Sequence, residues 1–189
     1  ATDIAPAMLE QGRRLAAERG VGNVSFEEAD AEALPYAAGS FDLVTCRMAA
    51  HHFTSVPRFL AEAKRLLRPG GRLLLQDHLL PDDEAAAGEV DAFHRLRDPS
   101  HVRAFSAPQW ISLLDQAGLR LLRREQILKR HGLGEWTARQ GCGSEVVGRL
   151  VRRMEEAGAP ARAWMEPRQW GTPEASFADR HLVLLAERS

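Results

Sequence analysis

The sequence predicts a doubly wound α/β domain, and three observations carry that expectation. Short apolar strands alternate with amphipathic helices between Thr2 and Asp77, the rhythm of βαβ units with right-handed crossovers. The run Phe41-Asp42-Leu43-Val44-Thr45-Cys46 is apolar and short enough for the middle of a parallel sheet. Arg68-Pro69-Gly70-Gly71 then stops a helix sharply before the next strand.

Taken in order, Ala1 to Asp3 reads as the last step of a strand, and Pro6 suits the first turn of the helix it enters. Met8, Leu9, Gly12, Leu15 and Ala16 share one helical face, and Gly20 ends the helix. Val24 to Ala29 alternates as a half-buried strand ending at Asp30. After the strand at Phe41, Val56, Phe59, Leu60, Ala63 and Leu67 mark a second helix, and Arg72 to Asp77 the third clear strand. Pro81 to Arg97 is charged and alanine-rich, a further helix. Ser106-Ala107-Pro108-Gln109 is a capping box opening a helix with Trp110, Leu113, Leu114 and Ala117 inward and Gly118 at its end. Leu119 to Ile127 is a strand whose arginines place it at a sheet edge. Gly134 to Gly158 reads as helical, Pro160 to Pro173 as a loop, and His181 to Ala186 as a buried last strand.

Length and charge narrow the function. With 189 residues, 44% of them hydrophobic, the chain is a single domain with a sizeable core. Lys and Arg number 25 against 26 Asp and Glu, a net charge of −1 that gives no global field for nucleic acid or an anionic membrane. No apolar run approaches the ~18 residues of a membrane helix, and no signal peptide opens the chain. Cys46 and Cys142 offer neither a disulfide framework nor zinc spacing, which points to a reducing cytoplasm. The expected partner is a small molecule, with assembly into a homodimer left open.

Two acids stand out. A carboxylate at a strand's carboxyl end, as at Asp3, accepts hydrogen bonds from both hydroxyls of a ribose. Asp30 ends the next strand, where it would face an exocyclic amine such as adenine's. The plainer alternative for each is a turn former or helix cap.

The spacing then becomes recognisable. Asp3-Ile4-Ala5-Pro6-Ala7-Met8-Leu9 resembles the D-[IL]-S-x-x-M-L segment of class I S-adenosylmethionine-dependent methyltransferases. Asp30-Ala31-Glu32-Ala33-Leu34-Pro35-Tyr36, followed by Ser40-Phe41-Asp42, resembles their D-A-x-x-L-P-F…S-F-D signature. Ala49-Ala50-His51-His52-Phe53 and Leu66-Leu67-Arg68-Pro69-Gly70-Gly71 are similar to the two motifs that follow. The likeness is to the methyltransferase type 11 group, with the ubiquinone/menaquinone C-methyltransferases, over residues 3 to 77.

The resemblance implies a Rossmann-like three-layer αβα sheet, mostly parallel with an antiparallel last strand. It implies S-adenosylmethionine as cofactor, a small-molecule methyl acceptor and S-adenosylhomocysteine as product. Asp3 would bind the ribose, Ile4 an adenine face, and Asp30 with Ala31 the adenine amine, while Arg47 and Met48 would line the methionine end. The family's first strand and its glycine-rich loop have no counterpart after Asp3, since Gly20-Val21-Gly22 follows a helix. The sequence thus leads one to expect about 40–60 residues before Ala1, the usual size of such a unit. Residues 81–105 fall where this fold inserts a lid, and 132–175 where a second helical or loop insertion is expected.

His51, His52 and His78 follow strands at their carboxyl ends and are the candidates for a general base, or else they shape the acceptor pocket. Methyl transfer also proceeds by positioning alone when the acceptor is already nucleophilic. No third ligand is evident beside these pairs, so no metal is expected. His94, Arg97, His101 and Arg103 are the lid residues that would meet a polar acceptor, against the alternative of a solvated helix face. Trp136, Trp164 and Trp170 line either an aromatic pocket or a packed loop. Arg120, Arg123, Arg124, Lys129 and Arg130 read as a solvated edge. Two other readings stay open: an NAD-dependent oxidoreductase, whose ribose-binding acid Asp3 would also fit, and a non-catalytic cofactor-binding or scaffold protein of the same fold.

Overall fold

The predicted βα steps form in the computed structural model, which describes residues 1–189. β1 (Thr2–Asp3) enters α1 (Pro6–Glu18), with Pro6 in its first turn. The strand expected over 24–29 contracts to β2 (Glu27–Glu28), because its partner β1 offers only two residues to pair with. β3 (Phe41–Arg47) leads through a short turn at Ala50–His52 into α2 (Val56–Leu66), and Ser55 caps that helix by accepting from the Arg58 N–H. Its buried face of Val56, Phe59, Leu60, Ala63 and Leu66 is nearly the predicted one. Losing Leu60 to alanine there would cost ~2–5 kcal/mol.

β4 (Leu67–Leu80) is much longer than its predicted core and continues through the Pro69–Gly71 turn signal. α3 (Glu84–Arg97), β5 (Phe105–Ser106) and α4 (Ala107–Ala117) follow. The Gln109 side chain accepts from the Ser106 N–H at 3.0 Å, as the capping box requires. Gly118 ends α4 at φ 68°, a left-handed position that suits glycine. β6 (Leu119–Gly132) occupies the sheet edge.

Two expectations between β6 and the last strand need correction. The helix expected over 134–158 is two, α5 (Leu133–Ala138) and α6 (Ser144–Glu156), parted at Gly141 with φ 69°. The expected loop holds α7 (Ala159–Met165), since Pro160 sits where a helix starts, not where one breaks. β7 (Ser176–Arg188) closes the chain.

The main sheet runs β3-β4-β7-β6, with β5 pairing β4. β3 and β4 are parallel, and β7 is antiparallel to both of its neighbours. β1 and β2 pair only with each other, in parallel. β3 is therefore an edge, at the position where the resemblance sets the family's first strand. α2 and α4 pack on the face that carries Leu73, Leu75, Leu182, Leu184 and Ala186. A second core joins α3, α5, α6 and α7 around Phe93, Trp136, Leu150, Met154 and Phe177. No helix is long and apolar enough to cross a membrane.

Candidate active site

The parallel register of β1 and β2 sets Asp3 opposite Glu28, so the two strand ends open in one direction, with Asp30 two residues further on. Each acid does close a local turn. Asp3 Oδ1 accepts from the Ala5 N–H at 2.8 Å, and Asp30 Oδ1 from the Glu32 N–H at 2.8 Å. The turn uses one oxygen and leaves Oδ2 of each acid without a protein partner. Ile4 is 69% exposed and Met8 56%, an apolar surface beside Asp3. Free acceptor oxygens next to exposed apolar side chains suit the hydroxyls and ring of an adenosine group. Ala31 lies in the Asp30 turn. Arg47 ends β3 and Met48 follows at φ 51°, its N–H held by the Gln76 carbonyl at 2.8 Å. That left-handed conformation is uncommon for a residue with a side chain and marks a constrained strand end.

Six of the chain's seven histidines converge around three acids, Asp77, Asp91 and Asp179. Asp77 accepts from the His51 N–H at 3.0 Å and the His78 N–H at 2.7 Å, and lies 2.6 Å from His51 Nδ1. An ionised carboxylate only accepts, so His51 Nδ1 carries the proton and Nε2 is the free nitrogen. Burial pushes His51 below the ordinary imidazole value, with Asp77 opposing. Burial alone would raise Asp77, yet the His51 hydrogen bond and the neighbouring imidazoles hold it below the usual carboxylate range.

His52 turns away, with Nδ1 3.0 Å from the Ser100 carbonyl. His78 Nδ1 lies 3.1 Å from Asp179, whose hydrogen bond raises the imidazole against the effect of burial. His101 Nε2 meets Asp91 at 2.7 Å. Burial pushes His94 down to about 3.

The residues expected in a lid therefore divide. His94 and His101 are buried within the histidine cluster. The Arg97 guanidinium stacks over the Trp136 ring at 4.5 Å and donates to its carbonyl. Arg103 stays exposed over Phe105. Trp136 packs parallel to Phe93 at 5.5 Å, and Trp170 donates to the Val151 carbonyl, so both serve the second core. Asp91, His131, Asp179 and His181 were missed by the sequence reading. Asp179 meets His78 across 101 residues, through strand register that spacing does not reveal. A surface cavity of about 680 Å³ lies elsewhere, between α3 and α6 among Arg95, Arg149, Arg152 and Arg153.

A mixed α/β sheet beside a separate parallel β1–β2 pair, with two half-free acids at or just past that pair's carboxyl ends, has the features of the nucleotide-cofactor class of α/β proteins. Comparison with known proteins makes this specific. Residues 1–75 match the methyltransferase domain family. The chain is 45% identical over 108 residues to the uncharacterized methyltransferase YcgJ of Bacillus subtilis, covering 57% of this chain and 43% of that protein. It is 35% identical over 119 residues to Escherichia coli YafE, covering 63% of this chain and 58% of that protein. The chain thus spans about half the length of these curated relatives. The crystal structure of YcgJ superposes with a TM-score of 0.89 at 30% identity, over 99% of this chain and 80% of that one. That of BH2331 from Bacillus halodurans gives 0.93 at 28% identity, over 100% and 81%. The chain belongs to the class I S-adenosylmethionine-dependent methyltransferase family.

Proposed function

We propose that this chain binds S-adenosylmethionine and transfers its methyl group to a small-molecule acceptor, leaving S-adenosylhomocysteine. The observation that carries the reading is the pair of half-free carboxylates, Asp3 and Asp30, beside the exposed Ile4. When bound, the sulfonium supplies an electrophilic methyl group. Asp3 accepts from the ribose hydroxyls, Asp30 with Ala31 meets the adenine amine, and Ile4 covers a purine face. Arg47 and Met48 flank the methionine end. Asp77 fixes His51 in the tautomer whose Nε2 accepts a proton from the acceptor's reacting group. The cap formed by α3 and α5–α7 restricts water at the carboxyl end of β4. A near-zero net charge suits a small cytoplasmic acceptor better than nucleic acid or a membrane surface.

Calorimetric titration of S-adenosylhomocysteine into the full-length protein tests this. Asp3→Ala and Asp30→Ala should each weaken binding by ~1–3 kcal/mol, the cost of unpaired polar partners. An unchanged Kd in both variants would refute the assignment.

A further inference from the structure

The Asp179 carboxylate is ringed by four imidazoles from four elements. Oδ1 lies 3.1 Å from His78 Nδ1 on β4 and 3.7 Å from His94 Nε2 on α3. Oδ2 lies 3.1 Å from His181 Nε2 on β7 and 3.5 Å from His131 Nε2 on β6. Strand register explains the convergence. His181 pairs directly with His78, and His131 with Phe177, so both partners share the face on which Asp179 alternates. α3 closes the site from outside the sheet through His94.

Only part of this arrangement is hydrogen bonding. His78 and His181 reach the carboxylate at hydrogen-bond distance, but the His94 and His131 contacts are too long to be good ones. His94 is 95% buried and has no other acidic partner. Measured from the carboxylate, the nitrogens of His78, His181 and His94 stand at 3.1, 3.1 and 3.7 Å, near the length of the ligand-to-ligand edges of a tetrahedral metal site. With bonds of 2.0–2.2 Å those edges are about 3.3 Å. His78, Asp179 and His181 alone already bring one ligand atom each within 4.8 Å of one another. The Gln76 amide lies 3.1 Å from His181 Nδ1; with its Oε1 turned to the ring it would accept from Nδ1–H and leave Nε2 free for a metal.

We propose that His78, Asp179 and His181, with His94 closing the fourth position, form a binding site for a divalent transition cation of the zinc class. Imidazole-rich ligation with a single carboxylate selects such an ion over Mg²⁺ or Ca²⁺, which take oxygen ligands. This revises the expectation of no metal, which rested on the lack of a third ligand near the histidine pairs. The site uses none of Asp3, Ile4, Asp30 or Ala31 and stands independently of the methyl-transfer reading.

Tag-free full chain, stripped with a chelator, would be titrated with Zn²⁺ against a chromophoric competitor, and with Co²⁺ followed by its visible absorption. The expected result is one ion per chain, sub-micromolar affinity for Zn²⁺ and the intense bands of four-coordinate Co²⁺. Asp179→Asn and His181→Gln should weaken binding at least tenfold while circular dichroism reports a folded chain. Absent stoichiometric binding, faint six-coordinate Co²⁺ bands, or undiminished affinity in a folded variant would each overturn the site. The Co²⁺ spectrum reads the unsubstituted protein, so it decides even where a substitution prevents folding.

Discussion

Asp91→Ala is expected to destabilise the fold by about 2–6 kcal/mol, built from two stranded donors at ~1–3 kcal/mol each. The Asp91 carboxylate accepts from His101 Nε2 at 2.7 Å, the Ala104 N–H at 2.9 Å and Arg95 Nη2 at 2.6 Å. His101 is 3% exposed and Ala104 2%, so their donors stay buried when the carboxylate goes. The Arg95 side chain is 49% exposed and turns to water, adding little. Against a total stability of ~5–15 kcal/mol the loss is large, and urea unfolding followed by tryptophan fluorescence measures it. A loss below about 1 kcal/mol would mean that the loop relaxes to satisfy both donors, which would refute the reasoning. The pH dependence has a definite sign. Burial alone would raise the Asp91 carboxyl, but the His101 and Ala104 hydrogen bonds and the His101 and Arg95 charges hold it below its ordinary 3.8. The unfolded carboxyl therefore protonates first. The contribution is full above 3.8 and disappears as the pH falls through the lower folded value. The stability advantage over Asp91→Asn should shrink across that acid range, and an advantage that grows there would contradict the assignment.

Three further outcomes are expected. His51→Ala should lower methyl transfer by about 10²–10⁴-fold, the usual worth of a general base. Its affinity for S-adenosylhomocysteine should hold, and His52→Ala should have a far smaller effect; equal losses in the two would remove the special role of His51. A thiol reagent at mildly alkaline pH should label Cys142 alone in the folded chain, because burial and the Asp77 charge push the Cys46 thiol up to about 12; prompt labelling of both would contradict that burial. Gly118→Ala should lose ~1 kcal/mol, since φ is 68° and an added Cβ would meet the Lys64 ammonium. An unchanged melting temperature would show that the turn adjusts freely.

The βα steps as far as Asp77 were legible because apolar periodicity reports local geometry, and α2 shows almost the face that Val56, Phe59, Leu60 and Ala63 predict. Asp3 and Asp30 were legible because their role depends only on standing just past a short strand. Elements failed where local signals have two meanings. Pro160 marks a helix start as well as a break, and Gly141 divides a continuous apolar face. The beginning of β7 was hidden because Asp179 and Arg180 make it look like a polar loop, although Asp179 is 4% exposed. That burial is possible only because imidazoles from β4 and β6 arrive through pairing to residues about 100 and 50 positions away, respectively. The acid at the centre of the histidine cluster was therefore the site residue least readable from sequence.

The alternation of β4 separates two chemistries carried by adjacent residues. Asp77 has the parity of Leu73, Leu75 and Leu79, which pack beneath α2 and α4. It therefore meets His51, in the short turn at Ala50–His52 that leads toward α2. His78 has the opposite parity and stands in register with His181. It belongs to the face that α3 covers, where Asp179 waits two residues along β7. One peptide step thus assigns one acid to orient a free imidazole and one histidine to ring a buried carboxylate. The two groups still communicate at the strand end, where the His51 and His78 rings meet edge-on at 4.7 Å. The helices inserted between β6 and β7 press the second core against the Asp179 face, with Phe177 between Trp136 and His131. Their insertion keeps Asp179 and its ring of histidines out of water, while His51 stands in the turn just past the carboxyl end of β3, held by Asp77.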